Sequence, residues 1–411
     1  MPRYTHAMTA ASLTLAILLA SSLAASASIP TGPLIVDNNS HLVVMEYEAW
    51  FGPNAVTFQG TAAKPLLQSA DMQSVGGGYD SADPHVIQQH VAWMEYMGVD
   101  VAISEVTNNV SCIFNTIWFA RKYLPYCTSG FRSSMQTIRD NTGNLYPAWT
   151  NLGTNLKLIP LLGGSDETVL YKDLDGKTAF EKEVDYFGSL LQQYPDRQVI
   201  YEGKPLMLIF LGAAQDPCRN DNPLWLQIRK FLTSHPELGQ KYTFRMMAGY
   251  LDSQPYLWLN PGKADGPVEI NPGYDFWSWV DRLKISCAQP YCPYYPSYNQ
   301  PGSRVENMTA SIATAGQYGW GCPNENALPY CPDNALRFGT NGTYETFSSF
   351  MTYANQFEPI FLIIHQFNEF VPPDEGFDAN TDDDIEPANL WGFGALVAVK
   401  QQIAIYRQGQ E

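Results

Sequence analysis

Largely apolar runs of four to nine residues recur along the chain, and most of them stop abruptly in polar side chains or glycine. Leu42-Val43-Val44-Met45 runs into Glu46-Tyr47-Glu48-Ala49-Trp50, and Val99-Asp100-Val101-Ala102-Ile103 runs into Ser104-Glu105. Leu156 to Leu162 ends in Gly163-Gly164, and Pro205 to Leu211 ends in Gly212. Tyr242 to Tyr250 and Tyr274 to Trp279 are further runs, the second holding Asp275 among aromatics. The last is Phe361-Leu362-Ile363-Ile364, which gives way at once to His365, Asn368 and Glu369. Runs apolar on both faces predict strands of a parallel sheet covered by helices.

The intervening segments carry helical spacing. Asp83-Pro84 is a cap followed by a first-turn proline, and Val86, Ile87, Val91, Met94 and Met97 fall on one face before Gly98. Ala179 to Gln193, Leu224 to Thr233, Phe347 to Phe357 and Leu390 to Tyr406 read as further helices. Strand, helix and strand in alternation imply parallel pairing with right-handed crossovers. The expected fold is α/β, a single (β/α)₈ barrel of TIM type with long loops at its C-terminal face. Seven strands are counted, and Gly316 to Trp320 is the candidate for the eighth.

In such a barrel the working groups stand at the C-terminal strand ends. Glu46, Glu48, Glu105, Asp275 and Glu369 would then face one cavity. Glu46 and Glu48 alternate with Met45 and Tyr47, so both point the same way. Two carboxylates on either side of a glycosidic bond are the minimum for its hydrolysis: one protonates the leaving oxygen, the other attacks or activates water. Glu369 is the first candidate, with Glu105 or Glu48 as partner. The competing reading makes each a structural carboxylate bonded to arginine or backbone amides. Asn368, His365, Tyr47 and Asp275 are candidate sugar contacts and Trp50 a stacking platform. For His365 the alternative is a satisfied core histidine.

Composition narrows the classes. The formal net charge is -17 with a sequence pI near 4.7, which argues against nucleic acid as a partner. The 10 Trp, 24 Tyr and 20 Phe suit both core packing and sugar stacking. Tyr291, Tyr294, Tyr295 and Tyr298, in a long stretch from Cys287 to Asn307, either line a sugar cleft or cover the outside of the barrel.

Residues 1–27 have the form of a secretory signal: Arg3, an apolar Leu13 to Leu19, and Ala25-Ser26-Ala27 for cleavage. A membrane anchor is the alternative, but the apolar core is short of the about 20 residues a span needs. The catalytic domain is then 28–411, a secreted monomer with no membrane association. Sequons at Asn38, Asn109, Asn307 and Asn341 agree with secretion. Local closure suggests disulfides Cys112–Cys127, Cys287–Cys292 and Cys322–Cys331, with Cys218 left over; the last two pairs are alternatively metal ligands.

Asp378-x-Asn380-x-Asp382-x-Asp384 spaces oxygens as a calcium loop does. Asp383 stands where glycine is expected and Asn389 where the bidentate Glu belongs, so a solvated acidic loop is the default. No metal or cofactor is expected. H-E-x-x-H, Walker, G-x-G-x-x-G and G-x-S-x-G motifs are all absent.

Asn368-Glu369-Phe370, followed by Ile385-Glu386-Pro387 and a closing helix, resembles the N-E-W-x-E-G…I-E-P segment of glycoside hydrolase family 99 and family 71-like barrels. Gly78-Tyr79-Asp80-Ser81 before Gln89-His90-Val91-x-Trp93-Met94, Tyr47 to Gly52, and Gly203-Lys204-Pro205 resemble further pieces of that family in the same order. The resemblance implies a barrel glycosidase acting on an α-mannoside through two glutamates of N-E-W-x-E, assisted by the substrate's 2-hydroxyl. It adds Tyr79 to the candidate sugar contacts. Only the first glutamate is matched, by Glu369; the second position holds Pro372, which does no acid–base work. Asp374, Glu375, Glu105 or Glu48 are the possible replacements, and the mannoside substrate is not implied by the residues themselves. The competing class is a barrel without activity that binds glycans. A lyase acting on acidic polysaccharide is disfavoured by the acidity of the chain.

Overall fold

The computed structural model describes residues 32–61, 63–164, 166–210, 224–248, 276–278, 297–298, 304–313, 337–338, 343–370 and 382–410. The proposed signal, Asp275, the Gly316–Trp320 candidate and the four cysteines of the other two suggested pairs lie outside the described residues.

Among the described residues eleven strands form: β1 Leu34–Val36, β2 Leu42–Tyr47, β3 Val101–Val106, β4 Lys157–Gly163, β5 Val199–Tyr201, β6 Lys204–Phe210, β7 Thr243–Ala248, β8 Phe276–Ser278, β9 Ser297–Tyr298, β10 Val305–Ser311 and β11 Phe361–His365. A parallel ladder runs β8-β7-β6-β4-β3-β2-β11-β10. Helices separate its strands: α1 Pro84–Met97, α2 Ser129–Leu152, α3 Ala179–Gln193, α4 Leu224–Ser234 and α5 Glu345–Phe357, with α6 Gly394–Gln408 closing the chain. This is a mixed α/β architecture of the expected (β/α) kind. At the two ends of the ladder, β8 and β10 bring Cα atoms within 8 Å of each other, with no pairing between them among the described residues. A buried ion pair reaches across that gap, Arg245 on β7 to Glu306 on β10 at 2.8 Å.

The eighth parallel strand is β10, which falls within and just beyond the stretch expected to be irregular. Its sequence, Val305-Glu306-Asn307-Met308-Thr309-Ala310-Ser311, is too polar to read as a core strand, yet all of it is buried. Register sets Asn307, Thr309 and Ser311 level with Phe361, Ile363 and His365. The sequon at Asn307 is thereby closed to glycosylation in the folded chain, its amide donating to Met308 and Phe361 carbonyls. Helix α2 was also not apparent from the pattern. Gly130, Gly143 and Pro147 dilute its helical signal, and Gly143 is needed because a Cβ there would lie 2.0 Å from the Tyr186 hydroxyl.

Two apolar layers follow from strand parity. Val44, Val101, Ile103, Ile159, Leu161, Leu206, Leu208, Met247, Trp277, Phe361 and Ile363 fill the inner one. Val43, Met45, Tyr47, Ala102, Leu158, Leu162, Met207 and Ile364 pack outward against the helices. Below, β1 and the β5–β6 hairpin place Val36, Val199 and Tyr201 against the inner layer. Helix α1 starts where predicted: the Asp83 carboxylate accepts from the His85 N–H, and Gly98 takes the left-handed conformation at φ 90°. Cys112 and Cys127 form a disulfide, in the loop that follows β3.

Candidate active site

On β2 the inward parity runs Val44, Glu46, Glu48; on β3, Val101, Ile103, Glu105; on β11, Phe361, Ile363, His365. Each strand therefore changes from apolar to ionisable at its C-terminal end. Glu46 is level with Ile103, which sets Glu48 level with Glu105 one step further out. His365 meets Glu46 through Nδ1.

Of these carboxylates, Glu46 and Glu48 are each 3% exposed, while Glu105 and Glu369 are half-buried. Gln366 Nε2 donates to Glu48 Oε1 at 2.8 Å, and Glu48 Oε2 receives no donor among the described residues. Burial raises the Glu48 carboxyl far above its ordinary range, and the charges of Glu105 and Glu369 raise it further. Glu48 thus keeps its proton and presents it to Glu105. Burial also lifts Glu105, to about 7, against the lowering effect of Glu48 and of the Thr107 hydroxyl, which donates to Glu105 Oε1. A partly open carboxyl that titrates near neutrality, next to a second carboxyl that does not ionise, is suited to giving and taking a proton.

A buried hydrogen-bonded chain fixes the strand ends. Asn368 Oδ1 accepts from the Glu48 N–H at 2.9 Å, and its Nδ2 donates to the Glu48 carbonyl at 2.8 Å and to the Tyr79 hydroxyl at 3.0 Å. Tyr79 donates to Glu386 Oε2 at 2.7 Å. His90 Nε2 lies 3.4 Å from Glu386 Oε1, and its Nδ1 meets the Tyr47 hydroxyl at 3.0 Å. Tyr47, Tyr79 and Asn368 are buried with their polar groups used by the protein, which corrects their expected role as sugar contacts. Tyr47 has the outward parity of Met45, and Tyr79 and Asn368 brace the backbone of Glu48. His365 is likewise buried, between Glu46 and Asp383. Trp50 stays half-buried beside the outer layer.

The described part of the acidic segment, from Asp382 on, is not solvated, contrary to the default sequence reading. Asp382, Asp383, Asp384 and Glu386 are all buried. Asp384 accepts from the backbone N–H groups of Glu369 and Phe370, the second at 2.8 Å. Asp382 pairs with Arg337 at 3.3 Å, and that guanidinium lies 3.9 Å over Trp391. These two positions of the calcium-like spacing serve protein donors, while Asp378 and Asn380 lie outside the described residues. No group of three or more His, Cys, Asp or Glu among the described residues is arranged to hold a metal ion. No helix among them is long and apolar enough to cross a membrane. The role of Glu386 depends on contacts with residues far away in the chain, and only the likeness of Ile385-Glu386-Pro387 to a family motif signalled it.

At the opposite ends of the strands lies a cavity of about 640 Å³, lined by Leu34, Leu42, Asp100, Leu156 and Lys157. Its polar groups are occupied, Lys157 by the Gly32 and Asp196 carbonyls and Asp100 by Arg407 and the Val43 N–H.

Stability should follow the same groups. Burial raises Glu48, Glu105, Glu183 and Asp384 above their ordinary carboxyl values, so the folded chain binds more protons than the unfolded one. Their contribution is complete below the unfolded value of 4.5, or 3.8 for Asp384, and is lost as pH rises through the folded values, which for Glu105 is about 7. Asp173, lowered to about 2, titrates outside this window. Calorimetry is expected to give a higher melting temperature at pH 5 than at pH 8; the reverse order would contradict this assignment of protons.

No family model matches the chain, and no curated protein matches it. Among solved structures, a GH99 endo-alpha-mannosidase from Bacteroides thetaiotaomicron in complex with BIS-TRIS-propane is similar at 13% identity and TM-score 0.48, over 91% of this chain and 98% of that one. A second structure of a GH99 endo-alpha-mannosidase from that organism gives 12% and 0.45, over 92% and 99%. A glycoside hydrolase-like protein gives 12% and 0.40, over 90% and 97%. These neighbours include the family that the Asn368-Glu369 segment resembles.

Proposed function

We propose that the chain is a secreted glycoside hydrolase, with residues 1–27 as its signal and 28–411 as its catalytic domain. It acts as a monomer on a poly- or oligosaccharide and binds neither nucleic acid nor membrane. One observation carries the reading: two half-open carboxylates, Glu105 and Glu369, stand beside a fully buried third, Glu48, whose proton is tuned by both. Glu105 is the acid that protonates the leaving oxygen. Glu369 is the second carboxylate, attacking or activating water. Glu48 is the buried proton partner, and Trp50 is the side chain left to stack on a sugar face. Glu105 takes the place that Pro372 vacates in the family pattern.

Incubation with a panel of plant and microbial polysaccharides, α-mannans included, tests this by the release of reducing ends. Turnover is expected on at least one, with kcat/KM falling as pH rises through about 7, where Glu105 loses its proton. The loss of the second family glutamate favours one other reading, an inactive barrel that binds glycans. Retention of a glycan on an array without product would favour that reading and sink hydrolysis.

A further inference from the structure

His365 has surroundings that the proposed cleavage does not use. It leaves β11 between two acids, with Nδ1 on Glu46 Oε2 and Nε2 3.2 Å from Asp383 Oδ2. All three side chains are buried. A neutral imidazole has one N–H and one lone pair. Set between two carboxylates, it satisfies one and turns its lone pair on the other, a repulsion that a dry site does not screen. The imidazolium bonds Glu46 through Nδ1 and is an ion-pair partner, through Nε2, for Asp383. His90 supplies the contrast: the Tyr47 hydroxyl can donate to its Nδ1, and only its Nε2 faces an acid, Glu386 at 3.4 Å.

We propose that His365 is a positioning residue, held as a permanent imidazolium by Glu46 and Asp383, whose charge faces the Glu48–Glu105 pair and eases release of the Glu105 proton. Its consequence for turnover rests on the reading of Glu105 as the acid; its charge state does not. Among the described residues, ionisable groups that face it include Glu46 from β2, Glu105 from β3 and Asp383 from the segment before α6, while β10 presents the neutral Ser311 in register. At Glu105 the charge of Glu46 favours keeping the proton and the imidazolium opposes it. Removing the cation leaves Glu46 unopposed, so both members of the pair hold their protons to higher pH.

The chain has 6 His, so nitrogen-15 histidine labelling gives a resolvable set of ring signals. The signal lost in H365Q is expected to keep its imidazolium shift through pH 8 in the wild type. Carbon-13 carboxyl titration should move the Glu105 midpoint upward by about one pH unit in H365Q. A His365 ring that titrates near its ordinary value of about 6.5, or an unmoved Glu105 midpoint, overturns the proposal. If H365Q fails to fold, D383N carries the test: the ring should then lose its proton at lower pH than in the wild type, and an unchanged titration overturns the idea. Neither readout needs turnover, so failure of every polysaccharide would remove the hydrolase reading and leave this one standing.

Discussion

Replacing Glu369 by Gln lowers kcat by about two to four orders of magnitude, the range for losing one acid–base group, while the melting temperature stays within a few degrees of wild type. Its backbone N–H, held by Asp384, and the Asn368 brace beside it are main-chain and neighbouring contacts that the substitution leaves in place. Glu105→Gln produces a fall of similar size and also removes the loss of rate above about pH 7, because the group that titrates there is gone. The pair of results separates the roles. A second carboxylate that must be ionised governs the acid limb of the profile, and the proton donor governs the alkaline limb. Near-normal turnover by Glu369→Gln on a true substrate would remove that residue from the chemistry.

Strand ends could be read in this sequence because an inner apolar layer imposes its own pattern. A run such as Phe361 to Ile364 is buried on both faces, and whatever follows it must stand at the rim. Parity alone then put Glu46 and Glu48 on one side, and the register with β3 keeps them there. The same rule, applied to Tyr47, would have turned it toward the helices, since it alternates with the two glutamates. Strand β10 escapes the hydropathy pattern because its inward positions are the polar Asn307, Thr309 and Ser311, buried only by pairing with β11. Glu386 was visible only through its likeness to a family motif. Its reach to Tyr79 spans 307 positions, so hydropathy assigned it to solvent, whereas it is buried with the Tyr79 hydroxyl donating to its carboxylate and the Trp391 ring N–H to its main-chain carbonyl. Polar residues buried by long-range pairing leave no local period, and this site is built largely from them.

Asn368→Ala is expected to damage both fold and activity, which distinguishes it from the carboxylate substitutions. The side chain spans β11 to the end of β2, accepting from the Glu48 N–H and donating to the Glu48 carbonyl and to Tyr79. Alanine strands that N–H and that carbonyl in a buried place, at about 1–3 kcal/mol for each group, so a loss of about 2–6 kcal/mol follows. Chemical denaturation should therefore show a lower midpoint with an unchanged slope. Asn368→Asp keeps the acceptor for the Glu48 N–H but turns a carboxylate oxygen on the Glu48 carbonyl, and it should be no better tolerated. Because Glu48 carries the proton that Glu105 works against, its backbone cannot drift without moving the pair, and kcat falls along with stability. An Asn368→Ala protein with wild-type stability would mean that this amide contributes nothing to holding Glu48. The ordering of the carboxylates would then have to come from the Gln366 contact and the Asp384 cap alone.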